Sequence, residues 1–358
     1  IVMKKQLLIG LCAAGIALVS IPTRTSAVEV KNVITRTFPV SASSVLKIDN
    51  TFGDVVIAPG KRSEIDFRIE ITGTGLDQQT AQRMADRATV SLHQSGNTVT
   101  ARTSLGSSLE NCNNCTISVD YLVLVPSSVY LDLTNKFGNI NIKTDVQHDL
   151  KVNLQYGNLT ANRLQDGNNH ISLKFGNMTL DNVNAVTAEC SYGQVKINRA
   201  NSVDLNLSFC ILTTSSIDEF NLSTKYSDIT VENLGAITGS SSFSNVKISN
   251  LEKRCHLSNV MYGGGVRINK CSPQVESIRI QASYCGVTVG LSTQISARAT
   301  LYTHLGKIHY SGLKVTPISV GTEEDKNVQS FQGTIGPKSA HCAEIEISNR
   351  YADITLKP

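Results

Sequence analysis

One short phrase recurs through the centre of the chain and limits its fold more than any other feature. The phrase is an aromatic residue, a small residue, a polar residue and then two apolar residues separated by one position. Clear copies begin at Phe137, Tyr156, Phe175, Tyr192, Phe209, Tyr226 and Phe243, and looser copies begin at Tyr262, Tyr284 and Tyr302. The step from one clear copy to the next is nearly constant. A regular step of this size is typical of a solenoid.

The apolar residues within each copy alternate. With the aromatic residue as position 0, apolar residues recur at +3, +5 and +8 and again near +11, +13 and +15; in one copy these are Val195, Ile197, Ala200, Val203, Leu205 and Leu207. Such alternation predicts two or three short strands per copy. Equivalent strands of successive copies would pair in parallel, about 4.8 Å apart. The sequence therefore predicts an all-β solenoid, a single-stranded parallel β-helix in which each copy of the phrase forms one short coil.

The first residues of each phrase form the predicted corner of a coil. A small residue at +1 permits a sharp bend, and an amide at +2 can hydrogen-bond to its equivalent in the next coil. We expect the aromatic side chains to stack from coil to coil and to point inward. The candidate corner residues are Phe137, Gly138, Asn139, Tyr156, Gly157, Asn158, Phe175, Gly176, Asn177, Tyr192 and Gly193.

The chain divides around this repeat. Residues 28–135 are predicted to form an entry module of strands with one short helix from Asp77 to Arg87, in which Asp77 is the N-cap. Residues 136–310 carry the repeat. In residues 311–358, the charged, glycine-rich segment 321–338 is predicted to be a surface loop, and the phrase at Tyr351 is predicted to form the last coil.

Residues 1–27 have the pattern of a secretory signal peptide. Lys4 and Lys5 precede an apolar run from Leu7 to Ile21, and Thr25-Ser26-Ala27 is a small-residue cleavage site. These residues hold three of the 33 basic residues and none of the 29 acidic ones, which leaves 30 basic and 29 acidic residues and a net charge of +1. A near-neutral chain gives no indication of nucleic-acid binding, and no later segment is apolar for long enough to span a membrane.

Cys112-Asn113-Asn114-Cys115 is the sharpest local motif. A redox role needs such a pair at the start of a helix, and a zinc site needs a second pair of ligands, whereas this motif lies between a serine-rich loop and a strand. A disulfide between Cys112 and Cys115 is the favoured interpretation. The acidic residues and the seven histidines show no common register, so the sequence predicts no catalytic residues, no metal site and no cofactor.

The signal peptide, the early Phe52-Gly53-Asp54-Val55 phrase, the inserted strand–helix–strand piece and the aromatic-Gly-Asn repeats together resemble the putative-adhesin, β-strand-repeat family of Gram-negative envelope proteins. The resemblance covers residues 40–358, and the family is largely a domain of unknown function. It implies a right-handed β-helix, export and a surface or adhesive role.

We therefore expect a non-enzymatic, exported protein in the periplasm or on the cell surface, which binds a protein or glycan of the cell envelope. Two alternatives stay open. Many β-helix proteins are polysaccharide lyases or hydrolases, and such an enzyme needs clustered acidic residues. A periplasmic structural or signalling partner would need only a binding surface.

Overall fold

The computed structural model describes residues 27–106, 114–165, 167–321 and 327–358. Within those ranges the protein is all-β with one helix, as the sequence predicts, and its strands join in one hydrogen-bonded sheet of mixed direction. The predicted signal peptide at residues 1–27 lies almost entirely outside the described residues. No helix in the described ranges is long and apolar enough to cross a membrane.

The N-terminal part contains seven strands and the helix. The strands are β1 (Val28–Pro39), β2 (Val45–Thr51), β3 (Val55–Pro59), β4 (Glu64–Gly75), β5 (Ala88–Ser95), β6 (Thr98–Leu105) and β7 (Thr116–Val125), with α1 at Gln78–Ala85. The helix starts where predicted, because Asp77 Oδ1 accepts a hydrogen bond from the Thr80 amide at 2.7 Å. β1, β4 and β7 pair in antiparallel fashion, as do β5 and β6.

The central part is built from parallel pairs between successive copies of the repeat. Its strands are β8 (Tyr130–Lys136), β9 (Ile140–Ile142), β10 (Leu150–Gln155), β11 (Leu159–Leu164), β12 (Asn169–Lys174), β13 (Met178–Lys225), β14 (Asp228–Ser242), β15 (Asn245–Met261), β16 (Gly265–Cys271), β17 (Ser277–Ser283) and β18 (Val287–Leu291). Leu150 pairs with Leu131 and with Asn169, its equivalents in the copies before and after it. Ile229 likewise pairs with Leu212 and with Val246. The repeat step therefore sets the register.

The core follows the predicted alternation. Residues at +3 and +5 point inward, and Val195 and Ile197 are buried while Lys196 between them is exposed. The same alternation in every copy produces one continuous apolar core along the described chain. Each buried aliphatic side chain contributes about 1.5–3 kcal/mol before chain entropy is subtracted.

The C-terminal part differs from the prediction in two ways. Its strands are β19 (Ala297–His304), β20 (Ile308–His309), β21 (Val315–Gly321), β22 (Val328–Ile335), β23 (Ala343–Arg350) and β24 (Ile354–Lys357). β23 lies between β17 and β19 and pairs in parallel with both, so the Tyr351 phrase is inserted between two earlier coils and is not the last one.

The prediction of a surface loop at 321–338 is also partly wrong. Within it, β22 runs antiparallel to β19 and β21. Val328, Phe331 and Ile335 are buried there, and this apolar pattern was hidden by the surrounding glycines and charges. Residues 322–326 of that loop lie outside the described residues. Antiparallel strands thus occur at both ends of a sheet whose central part is parallel.

Candidate functional site: an exposed aromatic ladder

Eleven aromatic rings stack one above another along the surface, and we call them the aromatic ladder. Neighbouring ring centroids are 4.4–5.0 Å apart, and neighbouring planes differ by 3–15°. The members are Phe52, Phe137, Tyr156, Phe175, Tyr192, Phe209, Tyr226, Phe243, Tyr262, Tyr284 and Tyr351. The predicted stacking from coil to coil is thus present, and it extends to Phe52 at one end and Tyr351 at the other.

The direction of the rings contradicts the expectation that they point inward. All eleven residues are 38–50% exposed, and all have φ between 52° and 66°. This left-handed conformation turns the Cα–Cβ bond outward at the corner, and it costs roughly 1–2 kcal/mol for a residue with a side chain. Stacking contributes about 0.5–1.5 kcal/mol per ring pair, so the ten pairs among the eleven rings offset part of that cost.

Tyr302 does not belong to the ladder, although its phrase resembles the others. It lies within β19 and pairs with Ser348. The corner that follows it is formed by Leu305, which has the left-handed φ of 58°. Tyr351 instead stacks on Tyr284, because β23 is inserted between β17 and β19.

The small residues at +1 lie under the ladder, where there is no space for larger side chains. A Cβ atom on Gly138, Gly157, Gly176 or Gly193 would lie 1.8–2.0 Å from the carbonyl oxygen of the glycine one coil earlier. Later corners have Cys210, Ser227, Ser244 and Cys285 at this position, all of them buried. Small size at +1 allows the corner backbones to stack in direct contact.

The side chains at +2 form a chain of amide hydrogen bonds beside the ladder. Asn139 donates from its backbone amide and its Nδ2 to Asp54 Oδ1, at 2.7 and 3.1 Å. Asn158 donates in the same way to Asn139 Oδ1, and Asn177 donates to Asn158 Oδ1. The Gln194 amide then donates to Asn177 Oδ1 at 3.0 Å. The predicted corner residues are therefore brought together, in three parallel columns: rings, small residues and amides.

Most of the free cysteines in the described chain are buried, and Cys342 is exposed. Cys115 is disulfide-bonded, while its predicted partner Cys112 lies outside the described residues. Burial raises the pKa of the Cys190 and Cys271 thiols to about 12 and raises the pKa of the Cys255 thiol further. Cys255 and Cys271 are both free thiols.

Outward-facing charges pair with one another on the strands of the C-terminal half. Arg254 contacts Glu219 at 3.2 Å, and Arg279 contacts Glu344 and, at 3.4 Å, Glu346. No group of three or more His, Cys, Asp or Glu side chains in the described ranges could hold a metal ion.

One serine and one histidine lie within hydrogen-bond distance of each other. His256 Nε2 is 2.7 Å from Ser277 Oγ. Partial burial, with the nearby Arg279 and Arg254 cations, lowers the pKa of His256. The two residues lie on adjacent strands, close to the ion-paired Arg254 and Arg279. Nucleophilic catalysis by a serine also needs hydrogen-bond donors for the developing oxyanion, and a Ser–His contact does not supply them.

A groove with polar sides lies at a second corner of the coils, formed by positions +7, +8 and +9 of three successive copies. Its volume is ≈ 490 Å³, and its lining includes Arg163, Asn182, Arg199, Gln165, Asn184 and Asn201. This groove was not identified from the sequence. The signal that could have found it is the +7 column, in which arginine, asparagine and arginine follow one another.

No protein-family model matches the chain, and no curated protein matches it. Among solved structures, it is similar to a putative cell adhesion protein from Clostridium sporogenes, with 10% identity over 91% of this chain and 99% of the other and a TM-score of 0.18.

Two structures from Parabacteroides distasonis are also similar. A putative adhesin has 11% identity over 71% of this chain and 95% of the other, with a TM-score of 0.34. A putative lipid binding protein has 12% identity over 91% and 97%, with a TM-score of 0.24. At such low identities and TM-scores, neither the fold nor the function of this chain follows from these likenesses.

Proposed function

We propose that this chain is an exported, non-enzymatic protein of the cell envelope that binds a protein partner through the aromatic ladder, in the manner of an adhesin. The observation that carries the proposal is the exposure of eleven stacked rings in one line. The proposal also holds that the strands wind as a single-stranded, right-handed parallel β-helix, with residues 28–135 and 311–358 as its end modules.

The size of the ladder favours a binding role. Rings that are 38–50% exposed, with roughly 200 Å² of surface per aromatic side chain, together present on the order of 1,000 Å². The largest apolar patch on a typical monomer is about 300–600 Å², and a standard protein interface buries about 800 Å² per partner. The ladder is thus large enough to form the apolar centre of such an interface.

The geometry of the rings favours a protein over a sugar as the ligand of the ladder. Sugars bind aromatic side chains by lying on the ring face, but each inner face here is covered by a neighbouring ring with its centroid 5.0 Å away. The ring edges and the tyrosine hydroxyls remain accessible. Edge contacts and hydroxyl hydrogen bonds are the interactions that aromatic residues offer at protein interfaces.

The pairing supports the proposed winding. Equivalent positions of successive copies are hydrogen-bonded neighbours in parallel strands, and the rings above them follow the same order. Connections between parallel strands of one sheet are right-handed in about 98% of cases.

Export to the surface is tested by protease treatment of intact cells that produce the protein. We expect the protein to be digested while a periplasmic marker in the same cells survives. Protection of the protein in intact cells, followed by digestion once the outer membrane is permeabilised, would contradict an adhesive role. That result would leave the periplasmic alternative.

A further inference from the structure

The groove at the second corner is separate from the ladder and has its own chemistry. One side is formed by Arg163, Asn182 and Arg199 at position +7, and the other by Gln165, Asn184 and Asn201 at position +9. Between them, at position +8, are Leu164, Val183 and Ala200, which are at most 5% exposed and belong to the core. A chain lying in the groove would meet polar groups on both sides.

The three side chains at +7 stand in register on successive coils. Arg163 pairs with Asn182. The coil that contains Arg199 comes next, and hydrogen bonds from Asn198 to Asp181 and from Asn201 to Asn184, both 2.8 Å, fix that step. The rings of these three coils are 5.0 Å apart at each step. The two arginines therefore repeat at about 10 Å along the groove, twice the strand spacing, with an amide midway.

One of the two arginines of the groove has an acidic partner, and the other has none among the described residues. Arg163 lies 3.7 Å from Asp145, but both side chains are about half exposed, and such pairs contribute about 0–1 kcal/mol. The carboxylate of Asp181 accepts hydrogen bonds from Asn182 and Asn198, both at 2.8 Å. Arg199 has no acidic partner within ion-pair distance in the described part of the chain.

We propose that this groove binds an extended, β-linked oligosaccharide in which a carboxylated sugar alternates with a neutral one. The guanidinium groups of Arg163 and Arg199 each bind a carboxylate in a bidentate manner. The amides along both sides hydrogen-bond to hydroxyl and acetamido groups of the sugars. The inference does not depend on the ladder or on its protein partner.

The repeat distance selects this class of ligand. Two pyranose rings of an extended β-linked chain have a length close to the separation of the two arginines. An extended peptide presents side chains on one face about every 6.6 Å, which does not match two cations about 10 Å apart.

The test is isothermal titration calorimetry of the purified protein at low salt with three hexasaccharides. The first alternates glucuronate with N-acetylglucosamine, the second is the neutral N-acetylglucosamine hexamer, and the third is the galacturonate hexamer, which has a carboxylate on every ring. We expect the alternating hexamer to bind most tightly and the neutral one to bind at least about tenfold more weakly, as expected when charge-assisted hydrogen bonds are lost.

Two variants and a control locate the binding. Arg163→Gln and Arg199→Gln should each weaken binding of the alternating hexamer by roughly tenfold, since each removes one charge-assisted contact. Arg267→Gln, at an exposed position on β16 outside the groove, should leave it unchanged. Circular dichroism melting curves confirm that the variants are folded.

Equal binding of the neutral hexamer, unchanged affinity in both groove variants, or no heat of binding at millimolar ligand would overturn the proposal. If the galacturonate hexamer bound more tightly than the alternating hexamer, the proposed alternation of carboxylated and neutral sugars would be wrong. Failure here leaves the proposed role of the ladder intact, because no ladder residue lines the groove.

Discussion

The two halves of the aromatic ladder build the same corner in different ways. In the first half the residue under each ring is glycine, and a Cβ atom there would lie 1.8–2.2 Å from a carbonyl oxygen. In the second half, cysteine or serine lies under Phe209, Tyr226, Phe243 and Tyr284, and these four side chains are buried and hydrogen-bonded to backbone carbonyl groups. Ser227 Oγ, for example, accepts from the Cys210 amide at 3.1 Å and donates to the Lys225 carbonyl at 2.8 Å.

Both halves nevertheless keep neighbouring ring centroids 4.4–5.0 Å apart, and their aromatic residues all have left-handed φ. The stacked aromatic ring is thus common to both halves, whereas the small residue under it differs between them. Substitutions under the ring should therefore act by different mechanisms in the two halves, through overpacking in the first and through a lost hydrogen bond in the second.

The largest effect is expected for Gly176→Ala in the first half. Its Cβ atom would lie 1.8 Å from the Gly157 carbonyl oxygen, so the backbones of two coils must move apart. We expect a loss of roughly 3 kcal/mol in the free energy of unfolding, measured by urea denaturation. A loss below about 1 kcal/mol would show that the coils are less tightly stacked than described.

Ser227→Ala in the second half is the matched change. It removes the Oγ acceptor of the buried Cys210 amide without adding atoms. We expect a loss of about 1–2 kcal/mol, the cost of one buried unsatisfied donor. If the Ser227→Ala loss equalled or exceeded that of Gly176→Ala in the same denaturation experiment, the comparison between the two halves would be wrong.

Removing a ring should cost less at the end of the ladder than in its middle. Tyr192→Ala loses two stacking partners and Phe52→Ala loses one. We expect a loss of roughly 1–3 kcal/mol in the free energy of unfolding for the inner ring and about half of that for the end ring.

Tyr192→Gly should destabilise the protein less than Tyr192→Ala, because glycine adopts the left-handed conformation without strain. The reverse order in thermal melts would contradict the observed corner.

The last prediction concerns the chemical reactivity of the thiols in the unmodified protein, where no loss of stability is involved. Burial raises the pKa of the Cys210 and Cys285 thiols, which lie under ladder rings. Burial also raises the pKa of the Cys190 thiol, to about 12. At pH 8 these thiols stay protonated and enclosed, whereas Cys342 is exposed. We expect iodoacetamide to label Cys342 quickly in the native protein and the other three only after denaturation, as measured by mass spectrometry. Rapid native labelling of Cys210 would mean that the corner opens.

The repeat made much of this architecture predictable. A phrase with a nearly constant step predicts the parallel register, the stacking of the rings and the amide chain, because each depends only on which residue lies above which. The same pattern could not indicate that the rings point outward. That direction depends on a left-handed φ at residues such as Phe137 and Tyr192, and aromatic residues do not ordinarily favour that conformation.

The order of the last coils was also hidden. Chain order predicts that the Tyr351 phrase forms the last coil. In the structure, β22, which contains Phe331, pairs with one edge of β19, and β23 pairs with the other edge and with β17. The groove was missed because it depends on three coils together. Arg163 and Arg199 belong to different copies of the phrase, with a whole copy between them, and they line one groove only once the coils stack.

The most direct measurement of the ladder's role is photo-crosslinking in intact cells. A benzophenone amino acid is placed at Tyr226 in the ladder and, as a control, at Asp204, an exposed position on a strand outside it. A partner that covers the ladder should give one discrete protein adduct from position 226 and none from position 204, and the adduct should disappear when Tyr192 and Phe243 are both changed to serine. Absence of an adduct at 226, or the same adduct from both positions, would contradict binding through the ladder.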